Sequence, residues 1–264
     1  MQDDLGRDIT IPTGGAQRIV SLVPSITETL FAIGAGDRVV GVTKFCIKPT
    51  AAHDKTKVGG TKQVDYDLIK SLQPDLIIAN KEENTPEIVA ALAENHAVFI
   101  TDTNNFNDAL AMIGNMGMLT DCTERANEIV NTIVKEYHFY QQQSKIFRQQ
   151  KLSVAYFIWR KPYMIAAADT YIDSILQIMG LCNAAAYLSR YPNVSMAEIA
   201  NLQADLIFLS SEPYPFQAKH IAELQTVLPK AKIILVEGEA FSWHGAGLVD
   251  AFPYFLRLIA KINN

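Results

Sequence analysis

The sequence predicts an α/β protein of two similar lobes, each with a mainly parallel sheet flanked by helices. One long rigid helix is expected to join the lobes, with a ligand cleft between them. Three observations support this fold class. Short apolar runs alternate with helical patterns, a nine-residue segment recurs 130 positions later, and a long stretch without Gly or Pro separates the halves. Alternating apolar strands and helices are typical of parallel sheets covered on both faces.

The first half contains the pattern of four strands and two helices. Short runs of apolar and β-branched residues predict strands at Arg18–Val23, Val39–Thr43, Asp75–Ala79 and Ala97–Thr101. Apolar residues at helical spacing predict helices at Ile26–Gly34 and Pro86–Asn95.

The second half repeats this plan. Strands are predicted at Leu152–Ile158, Asp205–Ser210 and Lys232–Val236, and helices at Thr170–Gly180 and Ile221–Leu228. The segment Ile69–Ile77 recurs as Ile199–Ile207 with six of nine residues identical. In each copy a helix leads into a buried strand, so we interpret the halves as duplicated lobes.

The stretch between the halves predicts a single helix. In Asp121–Gln149 the apolar residues recur in steps of three and four, and some 29 residues of helix would extend about 43 Å. We therefore expect residues 1–120 to form an N-terminal lobe, residues 121–149 a connecting backbone helix, and residues 150–264 a C-terminal lobe.

The composition is that of a soluble globular protein. The chain has 264 residues, 49% apolar and 19% charged, which is enough for two cores. A net charge of -5 argues against nucleic-acid binding. The three cysteines are odd in number and far apart, so we expect mostly buried thiols rather than a disulfide framework.

Ligands of open parallel sheets bind beyond the carboxyl ends of the strands. Ser25 follows the first strand, where it either caps a helix or helps to hold an anionic group. In the second lobe, aromatic and cationic residues follow the strands: Trp159, Arg160, Tyr163, Tyr214 and Trp243. Aromatic side chains commonly belong to the core. At strand ends, however, they favour a wall for a broad, flat, mostly apolar ligand.

His244 is the one histidine predicted at a strand end, whereas His53, His96, His138 and His220 are expected on polar surface. It is either an axial ligand to a metal already held by a macrocycle or a hydrogen-bonding residue at the cleft rim. No GxSxG or HExxH motif occurs, and no catalytic residues are assigned. We therefore expect a binding protein and not an enzyme.

Five motifs carry a family resemblance: Asp4–Asp8, Arg18–Glu28, Val58–Lys62, Leu72–Ile77, and Asp173–Gly180 before Leu181. At these residues the chain resembles the substrate-binding proteins of ABC importers for cobalamin, haem and ferric siderophores, nearest the vitamin B12-binding branch. The resemblance implies a monomer without an intrinsic cofactor that binds a corrinoid, haem or ferric chelate. It implies ligand contacts from Phe45, Lys62, Trp159, Tyr163, Trp243 and His244.

The resemblance also implies docking on an ABC permease and ATPase complex through one acidic residue of each lobe. These positions fall on Asp67 and on Ala197, beside which stands Glu198. The sequence shows no signal peptide, so we expect the periplasm or cell envelope if a leader was removed and the cytoplasm if Met1 is native. The alternatives are a cytosolic metallocofactor-binding or sensing protein and a tetrapyrrole chelatase-like enzyme.

Overall fold

A computed structural model describes residues 1–263. The described chain divides into two compact units, each built around its own sheet. Unit 1 comprises Met1–Thr103, Asn107–Val134 and His244–Val249. Unit 2 comprises Asn104–Phe106, Lys135–Trp243 and the chain from Asp250 onward. The predicted fold class is confirmed, since one sheet is parallel, the other is mixed, and both are flanked by helices.

Unit 1 contains a five-stranded sheet in the order β3-β2-β1-β4-β5, and every neighbouring pair is parallel. Its strands are β1 (Ile19–Ser21), β2 (Val39–Val42), β3 (Thr56–Lys57), β4 (Leu76–Asn80) and β5 (Val98–Thr101). The four predicted strands are confirmed. The fifth, β3, is a two-residue exposed strand, too short to give an apolar pattern.

The helices that precede the connection between the units are α1 (Pro24–Ala32), α2 (Tyr66–Ser71), α3 (Pro86–Ala93) and α4 (Phe106–Leu119), with short 3-10 turns at Gly36–Arg38 and Thr50–Asp54. N-cap hydrogen bonds determine where two of these helices, α2 and α3, begin. The side chain of Asp65 accepts from the Leu68 N–H and that of Thr85 from the Ile88 N–H. Helix α4 was not predicted from the sequence.

Helix α5 (Thr123–Gln143) contains residues of both units. The prediction of one uninterrupted helix to residue 149 is wrong. Ser144 has φ -86° and ψ 2°, outside the helical range, and α6 (Lys145–Gln149) follows it. The break is confined to Ser144, since its N–H donates to the Tyr140 carbonyl and its carbonyl accepts from the Arg148 N–H. The predicted domain boundaries at 120 and 149 remain a prediction from the sequence.

Unit 2 contains a mixed sheet in the order β11-β10-β6-β7-β9, with β8 paired to the start of β6. Its strands are β6 (Ser153–Trp159), β7 (Tyr163–Ala166), β8 (Cys182–Asn183), β9 (Asn193–Val194), β10 (Leu206–Ser210) and β11 (Lys232–Val236). Strands β6, β10 and β11 are parallel, whereas β7 runs antiparallel to both β6 and β9. The three predicted strands are confirmed, and the β6–β7 hairpin was missed.

The helices that follow β7 are α7 (Tyr171–Met179), α8 (Met196–Asn201), α9 (Ala218–Gln225), α10 (Gly238–Ser242) and α11 (Leu248–Asn263). Helix α7 ends at Gly180, whose φ of +82° suits glycine. Helix α9 starts three residues before its predicted start at Ile221. Helix α11 was missed, and Pro253 inside it weakens the sequence signal for a helix.

No helix among residues 1–263 is both long enough and apolar enough to cross a lipid bilayer. The cysteines are free thiols, as expected, but they differ in exposure. Cys46 is buried, Cys122 is half-buried, and Cys182 is exposed on the short strand β8, so the expectation of mostly buried thiols is wrong for Cys182.

Candidate functional site

The edge of unit 1 at the carboxyl ends of its strands contains a surface pocket of about 660 Å³. Chain segments that follow β2 and β3 line it, namely Lys44, Phe45 and residues 59–65. Two predicted ligand contacts, Phe45 and Lys62, therefore lie in one pocket. Lys44 was missed by the sequence reasoning, although it directly precedes Phe45.

Phe45 and Lys62 give this pocket an apolar surface beside positive charge. The Phe45 side chain is 49% exposed, and the Lys44 ammonium lies 5.1 Å from its ring centroid, within cation–π range. Lys62 Nζ donates to the Glu82 carbonyl at 2.6 Å. Burial raises the pKa of the Glu83 carboxyl, and the Lys62 charge acts in the opposite direction. The pocket can receive a ligand with an apolar body and polar or anionic edges.

A glycine turn, residues 59–63, forms part of the lining of this pocket. Gly60 N–H donates to the Gln63 carbonyl at 2.7 Å, and Asn84 Nδ2 donates to the Thr61 carbonyl at 2.9 Å. Gly59 has φ +115°, and a Cβ there would lie 2.4 Å from the Gln63 carbonyl oxygen. The turn therefore requires glycine at position 59 and is fixed before any ligand arrives.

Ser25, the remaining site residue predicted in unit 1, is 4% exposed. Val23 is the N-cap of α1 and makes no side-chain cap hydrogen bond, so the capping interpretation of Ser25 is wrong. The Ser25 carbonyl accepts from Thr29 Oγ1 at 2.8 Å, and the same Oγ1 accepts from Ala246 N–H at 3.0 Å. Ser25 thus lies beneath segment His244–Val249, and its ligand-binding role remains a prediction.

The corresponding edge of unit 2 presents two aromatic rings. Trp159 ends β6 and is 39% exposed, and its indole meets the Tyr214 ring edge-on with centroids 5.8 Å apart. Tyr214 follows β10 and also packs against Phe216 at 4.8 Å. We call the pair Trp159 and Tyr214 the aromatic wall. Edge-on packing of aromatic rings is a favourable arrangement, so the wall is a preformed apolar surface.

Arg160 and Tyr163 lie at the hairpin beside this wall, and both bind Glu223 of α9. Arg160 Nε and Nη2 donate to Glu223 Oε2 at 3.1 and 2.7 Å, and Tyr163 Oη donates to Oε1 at 3.0 Å. Burial acts to raise the pKa of Glu223. The hydrogen bonds from Arg160 and Tyr163 outweigh burial, so the pKa of this carboxyl lies below its usual value. The carboxyl is therefore an anion that receives three hydrogen bonds.

His220 supports Tyr214 from the same helix. It is 2% exposed, so the expectation that it lies on polar surface is wrong. Its Nδ1 accepts from the Gln217 N–H at 2.8 Å, and its Nε2 lies 3.3 Å from Tyr214 Oη. Burial lowers the pKa of His220, and the charges of Arg160 and Lys219 lower it further. The imidazole is thus held neutral.

Trp243 and His244 follow α10. Ser242 Oγ donates to Glu212 Oε1 at 2.7 Å, which ties α10 to the loop after β10, and Trp243 is the half-buried C-cap. His244 is 7% exposed and lies in unit 1. Among residues 1–263, no group of three or more His, Cys, Asp or Glu side chains could hold a metal ion. The axial-ligand role of His244 remains a prediction.

The predicted docking residues lie at corresponding helix starts. Asp67 is exposed in the first turn of α2. Glu198 is exposed in the first turn of α8, where its Oε2 accepts from Ser195 N–H and Oγ, each at 2.7 Å. These bonds lower the pKa of Glu198. Ala197, beside it, is also exposed.

His220 and Glu223 escaped the sequence reasoning because their roles depend on tertiary contacts. A weak signal was present: Gln217 and His220 have the three-residue spacing of a helix-capping pair, and Glu223 follows one turn later. The pattern predicts where α9 starts, but it does not say which strand-end residues the helix contacts.

Comparison with known proteins gives the family. The family model described as periplasmic binding protein matches residues 19–228. The vitamin B12-binding protein of Vibrio campbellii is 26% identical over 206 residues, covering 77% of this chain and 74% of that protein. An uncharacterised ABC transporter substrate-binding lipoprotein of Bacillus subtilis is 27% identical over 213 residues, covering 78% of this chain and 67% of that protein.

A solved structure supports the fold. The apo periplasmic haem-binding protein of Roseiflexus sp. RS-1 matches with a TM-score of 0.81 at 20% identity, covering 95% of this chain and 100% of that one. The resemblance found from the sequence motifs is confirmed. These homologues are binding proteins, not enzymes.

Proposed function

This chain belongs to the periplasmic binding protein family, and we propose that it captures a cobalamin-type metal chelate for an ABC importer. Haem and ferric siderophores are the next ligand classes. The observation that carries the proposal is the aromatic wall of Trp159 and Tyr214 at the strand-end edge of unit 2. A broad planar macrocycle is the ligand shape that such a surface favours.

The pocket of unit 1 supports the same ligand class. Phe45 supplies an apolar surface, and Lys44 and Lys62 supply positive charge. A corrinoid has an apolar ring periphery, amide side chains and a phosphodiester, so it can use both kinds of contact. Ammonium groups bind phosphate oxygens as point charges.

Axial coordination favours a corrinoid over haem. Haem in proteins takes an axial side-chain ligand, commonly His or Tyr. Here the predicted candidate His244 is 7% exposed, and Tyr163 is 7% exposed with its hydroxyl donating to Glu223. Burial is also the first cause of the raised pKa of Tyr163, which disfavours a tyrosinate. A corrinoid brings its own axial ligands and needs neither residue.

The proposed partners are the metal chelate and an ABC permease with its ATPase. We assign Asp67 and Glu198 to permease docking, with Glu198 contributing through the oxygen that Ser195 does not use. The relatives include a lipoprotein and a vitamin B12-binding protein, which favours the cell envelope over the cytosol. We propose that the protein acts there as a monomer.

Ligand titration tests the proposal. We expect cyanocobalamin to quench tryptophan emission and release heat on binding, with haemin and a ferric hydroxamate siderophore weaker. Trp159→Ala should raise the Kd about 30-fold, since a central tryptophan typically contributes about 2 kcal/mol to binding.

Phe139→Ala is the matched control, because Phe139 is 51% exposed on α5 and is not part of the aromatic wall. Its Kd should equal that of the wild type. The proposal is wrong if none of the three chelates binds, or if Trp159→Ala and Phe139→Ala bind equally well.

A further inference from the structure

Helix α9 carries two side chains that reach the strand-end edge of unit 2. Glu223 receives three hydrogen bonds from the β6–β7 hairpin, two from Arg160 and one from Tyr163. Its two oxygens are divided between them, Oε2 for Arg160 and Oε1 for Tyr163. One carboxylate therefore fixes both ends of the hairpin turn.

His220, one helical turn earlier, acts on the other side of the wall. Its Nδ1 accepts the Gln217 N–H, so the neutral ring carries its proton on Nε2. That Nε2–H then donates to Tyr214 Oη. The His220 ring also lies 5.5 Å from the Tyr214 ring and 5.5 Å from the Phe216 ring. Tyr214 is thereby held against Trp159.

We propose that His220 and Glu223 are positioning residues for chelate binding: Glu223 fixes the hairpin that carries Trp159 and Arg160, and His220 fixes Tyr214 behind Trp159. This inference rests on the proposed function for its ligand. Neither side chain needs to touch the chelate. Their role is to hold the aromatic wall in its binding geometry before the ligand arrives.

The exposure of these groups distinguishes positioning from general stabilisation. The side chains of Arg160 and Glu223 are 20% and 35% exposed, so their ion pair lies in the solvent-accessible layer and not in the core. Pairs of this kind contribute little to folding stability. Loss of the Glu223 charge should therefore disturb the hairpin more than the fold.

The test compares Glu223→Gln and His220→Gln with Glu94→Gln, an exposed glutamate of unit 1 outside the pocket lining. A glutamine at 223 removes the negative charge and replaces one acceptor oxygen with an NH2 donor, so the charge-assisted bonds from Arg160 are lost. Cyanocobalamin is the probe. Glu223→Gln should raise its Kd about tenfold with a melting temperature close to that of the wild type. His220→Gln should raise the Kd about fivefold and also lower the melting temperature, because His220 is buried.

A second readout does not require the ligand. In a Trp243→Phe background, Trp159 is the sole tryptophan of the chain. Glu223→Gln and His220→Gln should shift its emission and increase its quenching by acrylamide, whereas Glu94→Gln should not. These changes report the geometry of the wall in the unliganded protein.

The two readouts separate the two hypotheses. Wild-type protein that binds no chelate would refute the proposed function, while the emission of Trp159 would still decide the positioning role. Unchanged emission and unchanged Kd in both α9 variants would overturn the positioning role. A lower melting temperature with unchanged Kd and emission would also overturn it, since it would reveal a purely structural function.

Discussion

The two units share the order of five strands, but one of these strands differs in direction, and unit 2 adds the short strand β8. From one edge to the other, unit 1 runs β3-β2-β1-β4-β5 and unit 2 runs β9-β7-β6-β10-β11. Strand β2 is parallel to the central strand β1, whereas β7 is antiparallel to the central strand β6. A parallel neighbour requires a crossover, supplied here by α1, but an antiparallel neighbour needs a short turn alone.

This difference decides what each central strand presents at its carboxyl end. After β1 the chain enters α1, and Ser25 is buried there. After β6 the chain turns back at once, which leaves Trp159 39% exposed at the edge. The carboxyl end of the central strand is thus followed by a buried residue in unit 1 and presents an exposed one in unit 2. In unit 1 the accessible side chains come instead from the segments after β2 and β3.

The largest expected effect concerns the turn that builds the unit 1 pocket. Gly59→Ala should lower the free energy of unfolding by about 2–3 kcal/mol, because φ is +115° and the new Cβ would meet the Gln63 backbone at 2.4 Å. Gly60→Ala is the control. Its nearest contact is the movable Phe45 ring at 3.2 Å, so a change under about 1 kcal/mol is expected. Urea unfolding measures both, and equal effects would contradict this account of the turn.

A second prediction tests the similarity of the units at the repeated segment. Asp75 accepts from the Gln17 and Arg18 N–H groups at the start of β1, and Asp205 accepts from Ser153 N–H and Oγ at the start of β6. Each Asp→Ala change should cost about 1–2 kcal/mol of stability, with Asp54→Ala, an exposed aspartate, as control. A loss at one aspartate alone would break the equivalence of the two copies.

The hydrogen bonds of Asp205 also predict a pH effect of definite sign. The Ser153 N–H, and then its hydroxyl, lower the pKa of Asp205 below 3.8. The stabilisation from Asp205 is therefore present above about pH 4 and is lost as the pH falls through the lowered pKa. Acid unfolding of the Asp205→Ala variant should show a smaller loss of stability in that range than the wild type.

The smallest expected effect is a pH dependence of ligand affinity that arises at the aromatic wall and not at the unit 1 pocket. His220 has a pKa below 6.5, and the charged groups that face it are Arg160, Lys219 and Glu223. Its contribution to stability is complete above about pH 6.5 and is lost as the pH falls through the lowered pKa, because a proton on Nδ1 would oppose the Gln217 N–H. Cyanocobalamin affinity should therefore weaken modestly at acid pH.

The control for this prediction is His53→Gln, an exposed histidine of unit 1, which should keep the wild-type pH profile. His220→Gln should flatten the profile. An acid loss of affinity that persists in His220→Gln would assign the titration to another group.

The sequence was sufficient for the parts of the fold that depend on local pattern. Apolar and β-branched runs predicted the longer strands, and the recurrence around Asp75 and Asp205 predicted the duplication. The β6–β7 hairpin was missed because β7 is only four residues long, and the polar turn Arg160–Pro162 before it also suits the end of an isolated strand. Periodicity alone cannot resolve such short elements.

The exposed aromatic residues of the site were predicted from the sequence, but the residues that hold them in position were not. Trp159 and Tyr214 follow apolar strands, so strand-end reasoning predicted them as binding residues, and the structure brings them into contact. His220 and Glu223 lie on a helix, and their partners are 6, 60 and 63 positions away. A pairing of this kind depends on how α9 packs, which sequence spacing does not encode.

A crystal structure of the protein with cyanocobalamin tests the central claim most directly, namely that the open end of β6 makes the binding surface of unit 2. The account predicts atoms of the corrinoid within about 4 Å of the Trp159 indole, with Tyr214 behind it as in the unliganded protein. A bound corrinoid that leaves Trp159 and Tyr214 without any contact would contradict it.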